Sequence, residues 1–206
     1  MIYEFILPFG GNIHVIQYVN KEGEKRYVMI DSGPGIYYLE ILGMLMEKGI
    51  DPTAIDMILL THSDADHAGS AAYFAKDFDI KIKAHSDFWD RIKNRIPDTV
   101  VSPVSQPYTE FCKAIIGFET PKRDEIEHFS AEEIIKIGAL NLAVLNSSGG
   151  HTSDSVYFYD EAHKILFTGD AFTDLNAMDD SSKELLRAMI TLGNPQVNAN
   201  LIALRE

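Results

Sequence analysis

The chain has 206 residues, which fits one α/β domain, or one such domain lacking an end, with length enough to bury a sizeable core. Lys and Arg total 18 against 31 Asp and Glu, a formal net charge of −13, which disfavours a phosphate backbone as a partner. One cysteine, Cys112, excludes an intrachain disulfide and a Cys-rich zinc module.

The N-terminus lacks a basic stretch before its short apolar run, and no segment approaches the ~20 apolar residues that span a bilayer. The expectation is a cytoplasmic protein with no membrane partner. Strands are predicted over 2–7, 13–19 and 26–30, separated by the turns Gly10-Gly11-Asn12 and Asn20-Lys21-Glu22-Gly23. Asp31-Ser32-Gly33-Pro34-Gly35 stops the third strand. Apolar residues at helical spacing over 36–48 close at Gly49. The compact apolar run 55–60 suits a buried strand. A helix over 70–76 and a strand over 80–84 follow.

The segment 86–127 is interrupted by Pro97, Pro103, Pro107 and Pro121. It reads as a helical cap or insertion within a single domain, 1–206. Cys112 within it reads as buried filler. Strands return over 134–137, 140–145, 155–159 and 164–168, and helical runs follow over 182–191 and 197–206. Two strand-rich halves separated by helices suggest two sheets face to face with helices outside.

The chemistry concentrates in His62-Ser63-Asp64-Ala65-Asp66-His67. Four potential ligands fall within six residues, directly after a buried strand and separated by small residues. A loop at a strand end can aim several side chains at one point, the convergence a metal ion requires. Carboxylates and imidazoles packed this closely repel or shift their pKa values unless a cation is present.

The run Thr61–Ser70, THSDADHAGS, resembles the HxHxDH signature loop of the metallo-β-lactamase superfamily. Three further segments match that family in order. Asp31-Ser32-Gly33 is similar to its DxG turn, Gly150-His151-Thr152 to its GHT segment, and Thr168-Gly169-Asp170 to its GD segment. The resemblance implies an αββα sandwich of two mixed sheets with helices outside. It also implies two divalent metal ions, zinc or iron, with manganese also compatible. His62, Asp64 and His151 would bind the first ion, Asp66 and His67 the second, and Asp170 would bridge both. Asp66 would also serve the catalytic chemistry. Asp31 would orient groups of the ligand loop, or else act only as a turn residue.

Two departures from the pattern stand out. Position 64 carries Asp where hydrolases of the superfamily usually carry His, and a carboxylate there is similar to the flavodiiron branch. Oxygen in place of imidazole favours iron or manganese over zinc. Asp64, Asp66 and Asp170 would set three negative charges against four positive ones, and a bridging hydroxide would make the site neutral. Second, no histidine follows His163, whereas the family brings one more from a late Gly-His-Gly-type loop. The chain stops inside a helical run, so a sequence lacking the last strand is favoured over a second site one ligand short. The second ion is expected to be the weaker.

The resemblance implies a hydrolase that uses a metal-bound hydroxide on an ester, thioester, lactone or amide-type small molecule. The alternative is a non-haem diiron redox or dioxygen-binding protein, which would need a redox partner. A non-catalytic module with a degraded site is the third reading. His14 reads as structural and His128 and His163 as exposed. His85 ends a strand that could aim it at the cleft. Phe88 and Trp89 read as core, with a substrate pocket as the other option.

Overall fold

The computed structural model describes residues 1–7, 11–93, 121–147, 151–171 and 180. Strands β1 (Ile2–Phe5), β2 (Ile13–Val19) and β3 (Lys25–Ile30) form an antiparallel meander. The β2–β3 turn is closed by the Asn20 side chain, whose Oδ1 accepts from the backbone N–H of Glu22 and Glu24. A 3₁₀ turn, Gly35–Tyr37, leads into α1 (Tyr38–Glu47), which splits the helix expected over 36–48. The split follows Pro34, which fixes the entry geometry of the turn.

Next come β4 (Ile55–Leu59), α2 (Ala65–Ala68), α3 (Ala71–Phe78), β5 (Lys81–Ala84), α4 (Phe88–Lys93) and β6 (Ile126–His128). From β3 onward the pairings are parallel, giving one six-stranded sheet in chain order. The carboxyl ends of β3, β4, β5 and β6 therefore share one edge, the edge where α/β sheets bind ligands. The second sheet contains β7 (Ile134–Ile137), β8 (Leu140–Asn146), β9 (Val156–Asp160) and β10 (Ile165–Phe167), in the order β10-β9-β8-β7.

The described strands add two details to the expected sandwich. The described part of the second sheet is antiparallel, because its strands follow one another through short turns. The 86–127 segment is also more than cap: its first helix, α4, buries Phe88 and Ile92 in the core, and its last residues join the first sheet as β6. A three-residue strand is too short to carry a periodic signal. Residues 94–120, Cys112 among them, and the helices expected over 182–191 and 197–206 lie outside the described residues.

Strand alternation divides the apolar side chains between two layers. On β3, Tyr27 and Met29 face the helices α1, α3 and α4, while Val28 and Ile30 face the second sheet. On β4, Ile55 and Ile58 take the helical side, and Met57 and Leu59 take the sheet side. The inter-sheet layer is completed by Ile135, Ile137, Leu142, Val144, Val156, Phe158 and Phe167. No described helix is long and apolar enough to cross a membrane.

Phe158 is fully buried between the sheets, in edge-to-face contact with Phe129 at 5.5 Å between ring centroids. Phe158→Ala is expected to destabilise the fold by about 3–5 kcal/mol, read as a lowered urea midpoint at unchanged slope.

Candidate metal centre

The centre begins with the end of β3. Asp31 N donates to Leu59 O at 2.9 Å, which holds Asp31 beside the end of β4. Its backbone is left-handed, φ +60°, a conformation Asp tolerates better than most residues. That turn aims its carboxylate inward. Oδ1 accepts from Thr61 N at 2.8 Å, and Oδ2 accepts from Thr61 Oγ1 at 2.8 Å. Nδ1 of His67 also lies 2.8 Å from Oδ2.

These contacts set both imidazoles. His67 can only donate from Nδ1 to a carboxylate, so its Nε2 is the nitrogen that offers a lone pair once the ring is neutral. Thr61 Oγ1 spends its proton on Asp31, so at 3.0 Å from Nδ1 of His62 it acts as acceptor. The His62 lone pair is thereby also on Nε2. Both Nε2 atoms are buried, and neither has a hydrogen-bond partner among the described residues. A metal ion would satisfy two such buried imidazole nitrogens, displacing any proton they hold.

The ligand loop is pinned from behind. Ser32 N and Oγ both donate to His67 O, at 2.7 and 2.9 Å. Ser70 Oγ donates to Pro34 O at 2.8 Å, and Ser70 N to Gly33 O at 2.9 Å. A Cβ on Gly69 would fall 2.2 Å from Ala65 O and 2.6 Å from Gly35 N, so only glycine lets the two loops pack.

The other ligands come from the second sheet. Val156 N donates to Thr61 O at 2.8 Å, stitching β9 to the end of β4. The turn before β9 brings Nε2 of His151 to 2.9 Å from Asp64 Oδ2. Asp170 sits in the 3₁₀ turn after β10, Gly169–Ala171. Gly169 has φ +52°, and a Cβ there would meet Thr61 Oγ1 at 2.6 Å. Asp170 Oδ1 lies 2.9 Å from His67 Nε2, and Oδ2 lies 3.6 Å from His151 Nε2.

Two triads result: His62, His151 and Asp170, and Asp66, His67 and Asp170. Within each triad the ligand atoms lie within 4.8 Å of one another. Asp170 is common to both. Asp64 stands against the first triad, with Oδ2 3.5 Å from His62 Nε2. All six residues singled out in the sequence therefore converge. His14, His128 and His163 stand elsewhere: His14 packs its ring on Phe167, and the other two are exposed. His85 accepts from Asp87 N at 3.1 Å, closing the turn into α4. Phe88 is core, and Trp89 packs partly buried against it.

Three participants were not foreseen. Arg91 on α4 is buried and reaches Asp64 Oδ1 with Nη2 at 2.6 Å. Thr61 relays Asp31 to His62. Asp154, buried behind His151, accepts from Thr152 Oγ1 at 2.7 Å. Nothing in the local sequence points to Arg91, because a helical cation gives no sign of which way it faces.

Charge at the centre is unevenly held. Burial pushes the Asp66 carboxyl up to about 6, helped by the Asp170 and Asp64 charges and opposed by His67. Burial also pushes Asp170 upward, but His67, His62 and His151 outweigh it and hold that carboxyl far down. Burial disfavours the charged form of His67, yet Asp170, Asp66 and Asp31 together raise it well above its ordinary value. The metal-free centre thus keeps protons that a cation would displace.

A family model described as the metallo-beta-lactamase superfamily matches residues 6–200. The chain is 26% identical to "Probable metallo-hydrolase YybB" of Bacillus subtilis (strain 168), over 96% of this chain and 77% of the relative. Among solved structures it resembles BLEG-1, described as a B3 metallo-beta-lactamase, at 21% identity and TM-score 0.61, covering 94% of this chain and 85% of that one. It also resembles a metallo-beta-lactamase family protein of Thermus thermophilus, at 18% identity and TM-score 0.63, covering 95% and 70%. At these identities the structural likenesses establish the αββα-type fold of two sheets.

Asp31→Ala removes the acceptor that sets both imidazoles. Metal affinity is expected to fall about 10–100-fold, measured by titration of metal-free protein. Metal affinity should also rise with pH. The sign follows from the free site: below about 6 Asp66 holds a proton, and the raised His67 holds one above that. Titrations from about pH 5 to pH 8 in buffers of different ionisation enthalpy should show tightening and net proton release; a flat profile would refute this.

Proposed function

The chain belongs to the metallo-β-lactamase superfamily, and on that premise we propose that it is a metallo-hydrolase acting on an ester, thioester, lactone or amide-type small molecule. One observation carries the reading: two buried histidine Nε2 atoms, without a hydrogen-bond partner among the described residues, face carboxylates in two triads that share Asp170. The donor set, imidazole and carboxylate, suits zinc, iron or manganese. His62, His151 and Asp64 would hold one ion, Asp66 and His67 the other, with Asp170 common to both. Ions held there would lower the pKa of water toward ~7 and polarise the carbonyl under attack.

The chain's own residues supply the rest. Asp31 and Thr61 keep both imidazoles in the tautomer that offers Nε2. Asp66, partly exposed, would place its carboxylate beside the second ion, where it would serve the catalytic chemistry. The net charge of −13 supports a small molecule over a nucleic acid as substrate. The diiron alternative draws on Asp64, and that carboxylate is shared with Arg91.

The test is elemental analysis of protein expressed with zinc or iron, followed by turnover of ester, thioester, lactone and amide substrates. Metal is expected in the purified protein, with hydrolysis of at least one class lost to chelation and restored by metal. Asp66→Asn should lower kcat about 10²–10⁴-fold. Metal-loaded protein inert toward all four classes would overturn the hydrolase reading. A visible ferric band in such inert protein would favour the diiron reading.

A further inference from the structure

Arg91 is the cation among the described residues that reaches into the metal centre. It comes from α4, whose neighbours Phe88 and Ile92 anchor the helix in the core. Nη2 lies 2.6 Å from Asp64 Oδ1, and Nη1 lies 3.6 Å from Asp154 Oδ1. Asp154 is in turn fixed by Thr152. The guanidinium is thus held between two buried carboxylates, one beside each histidine-bearing loop.

The two oxygens of Asp64 consequently have different fates. Oδ1 belongs to Arg91. Oδ2 faces His151 Nε2 at 2.9 Å and His62 Nε2 at 3.5 Å. A carboxylate with both oxygens free can chelate an ion; this one has a single oxygen turned to the histidines. Its charge is also divided, since the guanidinium and an ion would draw on the same group. A fixed positive charge one carboxylate away from the ion opposes the ion's own charge.

We propose that Arg91 is a positioning residue that makes Asp64 a one-oxygen, weakened donor to the first metal ion. This rests on the metallo-hydrolase reading above. The consequence is an ion held less tightly and with fewer protein donors than a free carboxylate would give, and therefore a stronger Lewis acid. Asp64, the departure from the family's histidine, is in this way brought back toward the donor strength of a neutral ligand. The metal reading alone does not require the Arg91 contact, and the sequence pattern does not contain it.

The sign of the effect separates this role from a structural one. A residue that merely braces the loops loosens metal when it is removed. Arg91→Met should instead tighten the first site, on the order of tenfold, by taking the guanidinium off Asp64 Oδ1 and removing the opposing charge. Calorimetric titration of metal-free protein with zinc reads this directly. Cobalt(II) substitution supplies a second readout. The Arg91→Met protein should show weaker visible bands, the signature of a higher coordination number, while Arg91→Lys keeps a cation and the parental spectrum. Asp64→Asn should reduce the tightening caused by Arg91→Met, because no carboxylate remains to be released and only the opposing charge is lost.

Unchanged or looser zinc binding in Arg91→Met, with the parental protein binding normally, overturns the role of Arg91 alone. Equal tightening in the Asp64→Asn background overturns it as well. A parental protein that binds neither zinc nor cobalt overturns the metallo-hydrolase reading itself.

Discussion

The Asp31 carboxylate is the contact on which the centre depends. Its two oxygens receive Thr61 N, Thr61 Oγ1 and His67 Nδ1, all at 2.8 Å. Each is a buried hydrogen bond to a charged group, worth about 1.5–3 kcal/mol. Together they outweigh the cost of a left-handed aspartate, roughly 1–3 kcal/mol. They also decide which nitrogen of two histidines carries a proton. A single side chain at the end of one strand thereby sets the chemistry of a loop that follows another.

That arrangement works because the parallel strands end together. β3 delivers Asp31 and β4 delivers Thr61 and His62 to the same sheet edge. The second sheet supplies His151 and Asp170 from turns flanking β9 and β10, and Val156 N to Thr61 O at 2.8 Å ties the two sheets at the site. Glycine appears where two backbones must touch. Gly69 lets the ligand loop pack on the Asp31 turn, and Gly169 brings Asp170 against Thr61 and His62.

Electrostatics follows from this crowding. Asp31, Asp64, Asp66 and Asp170 converge on three imidazoles and one guanidinium. Without a metal the carboxylates lean on protonated histidine, which is why His67 is raised and Asp170 held down. A divalent ion would take over that role. The same carboxylates that demand a cation also make its binding a competition with protons.

Much of this was legible in the sequence. The four motifs named all six residues that converge, because ligand loops must be dense in donors and sit at strand ends, and both properties are written linearly. The strands over 13–19 and 134–137 were likewise readable, since β2 is an apolar, β-branched run bounded by turns and β7 alternates between buried and exposed residues. Other features were decided only in three dimensions. Arg91 is 27 residues from Asp64 in sequence, and nothing local says which way a helical cation points. The short β6 owes its existence to pairing with β5. The role of Asp31, turn residue or organiser, was open until its partners Thr61 and His67, 30 and 36 residues away, could be seen. Sequence determines which chemical groups a chain owns and where strands bring them to an edge. Tertiary structure decides which groups meet, and so which proton, which oxygen and which charge each one keeps.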